Sequence, residues 1–293
     1  MAGLELLEPG VRRIVAPNPS PMTLNGTCTY IVGTGEVAVI DPGPDDPAHL
    51  RALLEGLAPN ETVSHIFVTH AHLDHSPGAA PLAKLTGAPV YAFGPPEAGR
   101  SAVMRNLAAL ADIGGGEGVH RAFLPDVMLA DGEVVHDANW SLRAIHTPGH
   151  FCNHLCFLSG DIAFTGDHVM GWASTLISPP DGDLGDYFRS LDKLAKEAPR
   201  ILYPGHGAPV VSPRSRIEEL AAHRHERSQQ ILSALDQGPA TAAELTQAIY
   251  TDTPHALMLA AERNVLAHLI EMTRENITKS LGAISLTSRF SRS

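Results

Sequence analysis

A layered α/β or α+β domain followed by a winged-helix outline is the fold class this 293-residue sequence predicts. Three observations predict it. Short apolar, β-branched runs broken by Gly, Pro and Asp fill residues 1–212 and alternate with helically patterned stretches. From Ser212 the pattern changes to long helical spacing. The last stretch then reads as helix, turn, helix and two short strands around Gly282. The expected division is a larger layered domain over 1–212 and a linking helix with a winged-helix-like domain over 213–293.

Strands are expected at 11–15, 28–32, 37–40, 66–69 and 90–93, then at 144–146, 156–158, 163–165 and 201–203, each a run rich in Val, Ile, Thr or aromatic residues bounded by turn formers. Residues 47–57 and 78–86 carry helical patterning between them. The stretch 112–119 holds Gly114, Gly115, Gly116 and Gly118 but lacks the strand-to-helix context of a phosphate-binding loop, so it reads as a flexible loop. Ile217, Leu220, Ala221, Ile231, Leu232 and Leu235 recur at helical spacing until Gly238 and Pro239 stop the helix. Helices over 241–250 and 254–273 follow, and then strands over 277–281 and 283–286.

An apolar share of 44% is ample for a buried core. The formal net charge of −11 argues against broad attraction to nucleic acid. That excess lies in residues 1–212, with 12 basic against 23 acidic residues, whereas 213–293 balances nine against nine. Only the tail from 276 is locally basic, through Lys279, Arg289 and Arg292. Cys28, Cys152 and Cys156 cannot all pair, so they read as reduced thiols; Cys152 and Cys156 flank His154 but suit small side chains near a strand. Residues 1–9 carry Glu5 and Glu8 with no basic flank and no long apolar run, which gives neither a signal peptide nor a membrane span. A cytoplasmic protein with no membrane partner is the expectation; nothing specifies an oligomeric state.

The chemistry concentrates in Thr69-His70-Ala71-His72-Leu73-Asp74-His75, directly after the apolar run 66–68. Three imidazoles and a carboxylate within six residues at a strand end are good ligands for zinc and other borderline transition metals. Thr147-Pro148-Gly149-His150, Thr165-Gly166-Asp167 and Tyr203-Pro204-Gly205-His206-Gly207 each add one potential ligand in a tight turn beyond a strand, where rigid backbone can aim it at a shared site.

This His-x-His-x-Asp-His cluster, with its downstream His, Asp and His, resembles the metallo-β-lactamase superfamily over residues 1–212. The resemblance implies a four-layer αββα sandwich with metals at one sheet edge. Carried over, His70, His72 and His150 would hold a first metal, Asp74, His75 and His206 a second, and Asp167 would bridge them. Asp41, in Val39-Ile40-Asp41-Pro42-Gly43, matches the family's buried aspartate behind the ligand loop. Two zinc ions are the expected cofactors, with iron or manganese as alternatives, and a metal-bridging hydroxide is the expected nucleophile. Asp74 is the expected catalytic residue, orienting that hydroxide or relaying its proton.

Within the superfamily, dedicated β-lactamases and nucleases with a large inserted cap fit poorly, because the second-site ligands differ from the former and Asp167 and His206 lie too close in sequence for the latter. Pro19-Ser20-Pro21-Met22-Thr23-Leu24-Asn25-Gly26-Thr27, His223-Arg224, Gln229-Gln230-Ile231-Leu232 and Ala260-Ala261-Glu262-Arg263-Asn264-Val265 resemble the β-lactamase-like protein 2 subfamily instead. That resemblance implies a substrate that is a small-molecule ester or thioester, or single-stranded RNA cut at its phosphodiesters. The alternatives are a mononuclear iron redox enzyme and a non-catalytic metal-binding module of the same fold. His154 and His168 are the expected outer partners of the ligands. Trp172 and residues 177–187 are expected at the substrate opening, and the C-terminal module is expected to wall it, with Lys279, Arg289 and Arg292 guiding an anionic substrate.

Overall fold

The computed structural model describes residues 3–109 and 113–293. The first two residues of the 1–9 segment and Asp112, which heads the glycine-rich stretch, lie outside the described residues.

Two sheets stack face to face. The first runs β1 (Glu5–Glu8), β2 (Val11–Val15), β3 (Cys28–Val32), β4 (Glu36–Ile40), β5 (Thr62–Phe67), β6 (Val90–Ala92) and β7 (Val127–Met128) in spatial order. Its first four strands pair antiparallel, and from β4 onward the pairs are parallel. The second sheet has the order β12-β11-β10-β9-β8, from β8 (Val134–His136), β9 (Ser141–His146), β10 (Leu155–Ser159), β11 (Ile162–Gly166) and β12 (Ile201–Pro204), with β11 and β12 parallel.

Strand alternation divides the core into layers. Along β4, Ala38 and Ile40 join Tyr30, Phe67, Phe157, Phe164 and Tyr203 between the sheets. Val37 and Val39 face the other way, onto Leu50 and Leu53 of α1 (Pro47–Glu55) and Leu82 of α2 (Ala79–Thr86). The outer face of the second sheet, through Ile145, Leu158, Ala163 and Leu202, buries Tyr187, Leu191 and Leu194 of α4 (Leu184–Glu197) and Ile217 and Leu220 of α5 (Pro213–Leu235). The result is the expected four-layer αββα sandwich.

A separate core forms where α3 (Ala102–Ala109) supplies Met104 and Leu107 to the end of α5, to α6 (Ala242–Ile249) and to α7 (Met258–Arg274). A three-stranded sheet of β13 (Ala240–Thr241), β15 (Arg289–Arg292) and β14 (Thr278–Ser280) completes the winged helix. Thr241 caps α6 in a reciprocal pair with Glu244, which satisfies two end amides.

Several boundaries differ from the sequence reading. The strand expected at 66–69 runs Thr62–Phe67 and stops before Thr69, because Asp41 takes the Thr69 amide that a ladder would use. The second wing strand is Arg289–Arg292 and not 283–286; Phe290 buries there, while Ser285 and Ser288 close a turn with each other and with Ala283. Elements β1, β7, β8, β13 and α3 are two to eight residues long and carry too short a pattern to be expected from the sequence; α4 has Leu184, Tyr187, Leu191 and Leu194 at helical spacing, but the Pro-, Gly- and Asp-rich run into it reads as a loop. No helix among the described residues is long and apolar enough to cross a membrane.

Candidate metal centre

Each of the seven ligand candidates sits just past a strand end of one sheet or the other. His70, His72, Asp74 and His75 follow β5, His150 follows β9, Asp167 follows β11 and His206 follows β12. The chain brings all seven together as two groups, His70, His72, His150 and Asp167 in one and Asp74, His75 and His206 in the other. Two glycines make the approach close enough. A Cβ on Gly205 would lie 2.5 Å from Asp167 Oδ1 and 2.7 Å from His75 Cε1, and one on Gly149 would lie 2.5 Å from Tyr187 Cα. No larger residue fits before His206 or His150 without moving a ligand or the helix behind it.

In the first group His72 Nδ1 lies 2.9 Å from His70 Nε2 and 3.1 Å from His150 Nε2. In the second, Asp74 Oδ2 lies 3.1 Å from His206 Nε2 and 3.4 Å from His75 Nε2, and the two Nε2 atoms are 3.3 Å apart. Ligands about 2.1 Å from one tetrahedral cation stand roughly 3.4 Å from each other, so the spacing is that of donors converging on an ion. Asp167 faces both groups. Its Oδ2 is 3.7 Å from His150 Nε2, and its Oδ1 is 3.5 Å from His75 Nε2 and 3.4 Å from His206 Nε2. Buried Oδ1 has no hydrogen-bond partner of good geometry among the described residues.

The ring faces are fixed from behind. Asp41, buried and held at φ 51, accepts the Thr69 amide at 2.7 Å on Oδ1 and, on Oδ2, the Thr69 hydroxyl at 2.8 Å and His75 Nδ1 at 2.9 Å. Because Thr69 donates to Asp41, its oxygen accepts His70 Nδ1–H at 3.0 Å. His150 Nδ1–H donates to the Leu176 carbonyl at 2.6 Å, and His206 Nδ1–H to that of Gly26 at 3.2 Å. Four rings therefore turn Nε2 to the site and His72 turns Nδ1.

The charge balance differs between the groups. Burial, reinforced by neighbouring histidines, holds His70 and His150 below the ordinary imidazole range and His72 at about 3, which leaves neutral lone-pair donors. Burial would also lower His75 and His206. The neighbouring carboxylates outweigh it, carrying His75 well up and His206 to about 9. Asp74 and Asp167 are correspondingly held below the carboxylate range, against a burial cost that would raise them. Buried carboxylates and imidazoles in this ratio call for positive charge at the second group, and the donor set suits a borderline dication.

The centre floors a cavity of about 560 Å³. Met22, Met170, Trp172 and Leu176 line it from the first domain, and Tyr250, Leu257 and Asn264 from the C-terminal region. None of the described residues lining it is Lys or Arg. The C-terminal module thus walls the opening, as expected, but the tail does not reach it. Arg289 pairs with Glu244 and Arg292 with Asp236, and neither these nor Lys279 lines the cavity. Trp172 lies at the opening, whereas 177–187 is largely buried beneath it; the lining run is 172–176.

His154 packs 5.2 Å from the His70 ring and bonds the Thr147 hydroxyl, while His168 stands 5.2 Å from Tyr187; neither hydrogen-bonds a ligand candidate. The three cysteines are free and buried, and burial lifts Cys152 and Cys156 to about 12, which fits inert packing thiols. The sequence reading missed the Leu176 and Gly26 carbonyls, which as backbone groups leave no side-chain signal. It also missed Arg224 and Asn264 as supports of the cavity wall. Arg224 had a signal, since it falls on the Ile217, Leu220 and Ile231 stripe of α5, a buried position for a cation.

The metallo-beta-lactamase superfamily model matches residues 22–206, and a beta-lactamase associated winged helix domain matches 241–285. The chain is 31% identical to an atrochrysone carboxyl ACP thioesterase of Aspergillus fumigatus, over 86% of this chain and 76% of that protein. It is 30% identical to a beta-lactamase-like protein 2 homolog of Drosophila melanogaster, over 92% of this chain and 89% of that one. A metallo-beta-lactamase family protein from Thermus thermophilus superposes with a TM-score of 0.78 at 28% identity, covering 98% of this chain and all of its own. The chain belongs to the metallo-beta-lactamase superfamily, whose members are metal-dependent hydrolases.

Proposed function

We propose that this superfamily member hydrolyses an ester or thioester of an apolar acyl group at a centre of two divalent cations, zinc by the chemistry of the donors. One observation carries the reading: Asp167 turns its two oxygens to two different ligand groups on the floor of an apolar cavity with no Lys or Arg among its described lining residues. His70, His72 and His150 would hold one cation, Asp74, His75 and His206 the other, and Asp167 both. Bound there, two such cations supply Lewis acidity, lowering the pKa of water toward neutrality, polarising the scissile carbonyl and offsetting charge on the departing sulfur or oxygen.

The chain's own groups do the rest. Asp41 and Thr69 keep His75 and His70 in the tautomers that present Nε2. Asp74 is the most exposed carboxylate of the site, its side chain 27% accessible and bordering the cavity. With Oδ2 turned to His206 and His75, Oδ1 is the atom we assign to orient the attacking water and pass its proton on toward the leaving group. Met22, Met170, Trp172 and Leu176 orient an apolar acyl chain and exclude bulk water. The thioesterase name borne by one relative supports this substrate class.

Single-stranded RNA is the weaker substrate, because a polyanion gains affinity from Lys and Arg, whereas the charged side chains among the described lining residues are the carboxylates of Asp74, Glu117 and Asp167. A panel of acyl thioesters, p-nitrophenyl esters, nitrocefin and single-stranded RNA tests the reading. Turnover is expected on thioesters and esters of apolar acids, with marginal nitrocefin hydrolysis. Cleavage of RNA alone would overturn it.

A further inference from the structure

Residues 170–179 run without regular structure from an exposed stretch at Gly171, Trp172 and Ser174 into the buried Thr175, Ile177 and Pro179, and form the cavity wall through Met170, Trp172 and Leu176. Backbone polar groups buried in such a segment need partners. Side chains from beyond Pro213 provide them. Arg216 of α5 donates Nε–H to the Met170 carbonyl and Nη2–H to that of Ala173, both at 2.8 Å. Arg224, also on α5, donates to the Thr175 carbonyl and, at 3.1 Å, to Asn264 Oδ1. Asn264 of α7 accepts the Ile177 amide at 3.0 Å on that same oxygen. Arg263 holds the Ser178 hydroxyl at 2.9 Å and the Pro179 carbonyl.

The residue between these two anchors is Leu176, whose carbonyl accepts His150 Nδ1–H. The residue before it, Thr175, donates its hydroxyl to the Asp167 carbonyl. Arg224 and Asn264 therefore bracket the two backbone contacts that orient one imidazole and one carboxylate of the centre. No described contact of this kind runs from the C-terminal region to His75 or His206, which are held by Asp41 and Gly26.

We infer that the C-terminal region, α5 together with the winged helix, is a positioning element for one half of the metal centre: Arg224 and Asn264, acting through the 175–177 segment, set His150 and the Oδ2 side of Asp167 for the first cation. The inference rests on the metal assignment above. Neither residue is catalytic in this role. Asn264→Ala removes the acceptor for the Ile177 amide and a partner of Arg224, leaving the segment free to shift; outer partners of metal ligands typically govern affinity by about 10–100-fold.

The test titrates metal-free full-length protein with zinc against a chromogenic chelator, and with cobalt followed by its visible absorption. Asn264→Ala is expected to weaken the first-group affinity by about tenfold or more while the second-group affinity moves less than about threefold. Thr175→Val, which keeps the side-chain shape and loses only the hydroxyl, should weaken the same group to a smaller degree and keeps the test usable if Asn264→Ala does not fold. Leu269→Ala, in the core of the C-terminal domain away from the segment, should lower the melting temperature without changing either affinity. Equal affinities in folded Asn264→Ala, Thr175→Val and wild type would overturn the inference, as would equal weakening of both groups. His72→Ala separates the two levels: if it leaves first-group affinity unchanged, the metal assignment itself fails.

Discussion

The two halves of the candidate metal centre use the same residue types and balance charge differently. Where His70, His72 and His150 meet, burial and mutual proximity keep the rings neutral, so the donors are ready for a cation before it arrives. Where Asp74, His75 and His206 meet, the carboxylates carry His75 well up and His206 to about 9, so protons occupy the positions a cation would displace. The supports differ too. The second half leans on Asp41, inside the sandwich, whereas the first leans on a segment fastened by the C-terminal region.

Removing what the halves share should have the largest effect. Asp167→Ala is expected to cost both halves their metal and to lower turnover by at least about 100-fold, read by plasma emission and steady-state rates. Metal content and rate equal to wild type would remove the bridging role. Asp41→Ala comes next: the second half should lose about 10–100-fold in affinity through His75, and the first less, because it is reached only through Thr69.

Acid should separate the halves without any mutation. A histidine whose metal-free pKa is raised must give up a proton to bind, so affinity at the second half rises with pH toward about 9 and falls as pH drops. The depressed imidazoles of the first half resist protonation until much lower pH, His72 until about 3. Stepwise dialysis from pH 9 to pH 5 should therefore release the second cation first; simultaneous release would erase the distinction. The smallest effect is expected at the tail. Neutralising Lys279, Arg289 and Arg292 together breaks two exposed ion pairs, each worth about 0–1 kcal/mol, and should leave KM for apolar thioesters unchanged. A raised KM would return the tail to the substrate path.

The fold and the convergence of the seven ligand candidates were legible in the sequence for one physical reason. A buried strand is a run of apolar residues, and a ligand at its end is a His or Asp in a Gly or Pro turn, so both leave local marks, as in Ile66-Phe67-Val68-Thr69-His70 and Pro204-Gly205-His206. What supports the ligands was less legible. The Leu176 carbonyl has no residue-type signature, and the link from Asn264 to His150 spans contacts far apart in the chain. The tail misled because local basic charge was visible while its partners, Asp236 and Glu244, lie some fifty residues earlier. The wing hairpin was misplaced because small polar residues around Gly282 suit a turn as well as a strand, and burial of Phe290 decides between them.

A two-cation hydrolase acting on apolar acyl esters or thioesters is tested most directly by the rate of hydrolysis of a medium-chain acyl thioester as zinc is added in known equivalents to metal-free protein. The expected curve rises to a plateau at two equivalents per chain. A plateau at one equivalent, or no hydrolysis with two bound, would contradict the account.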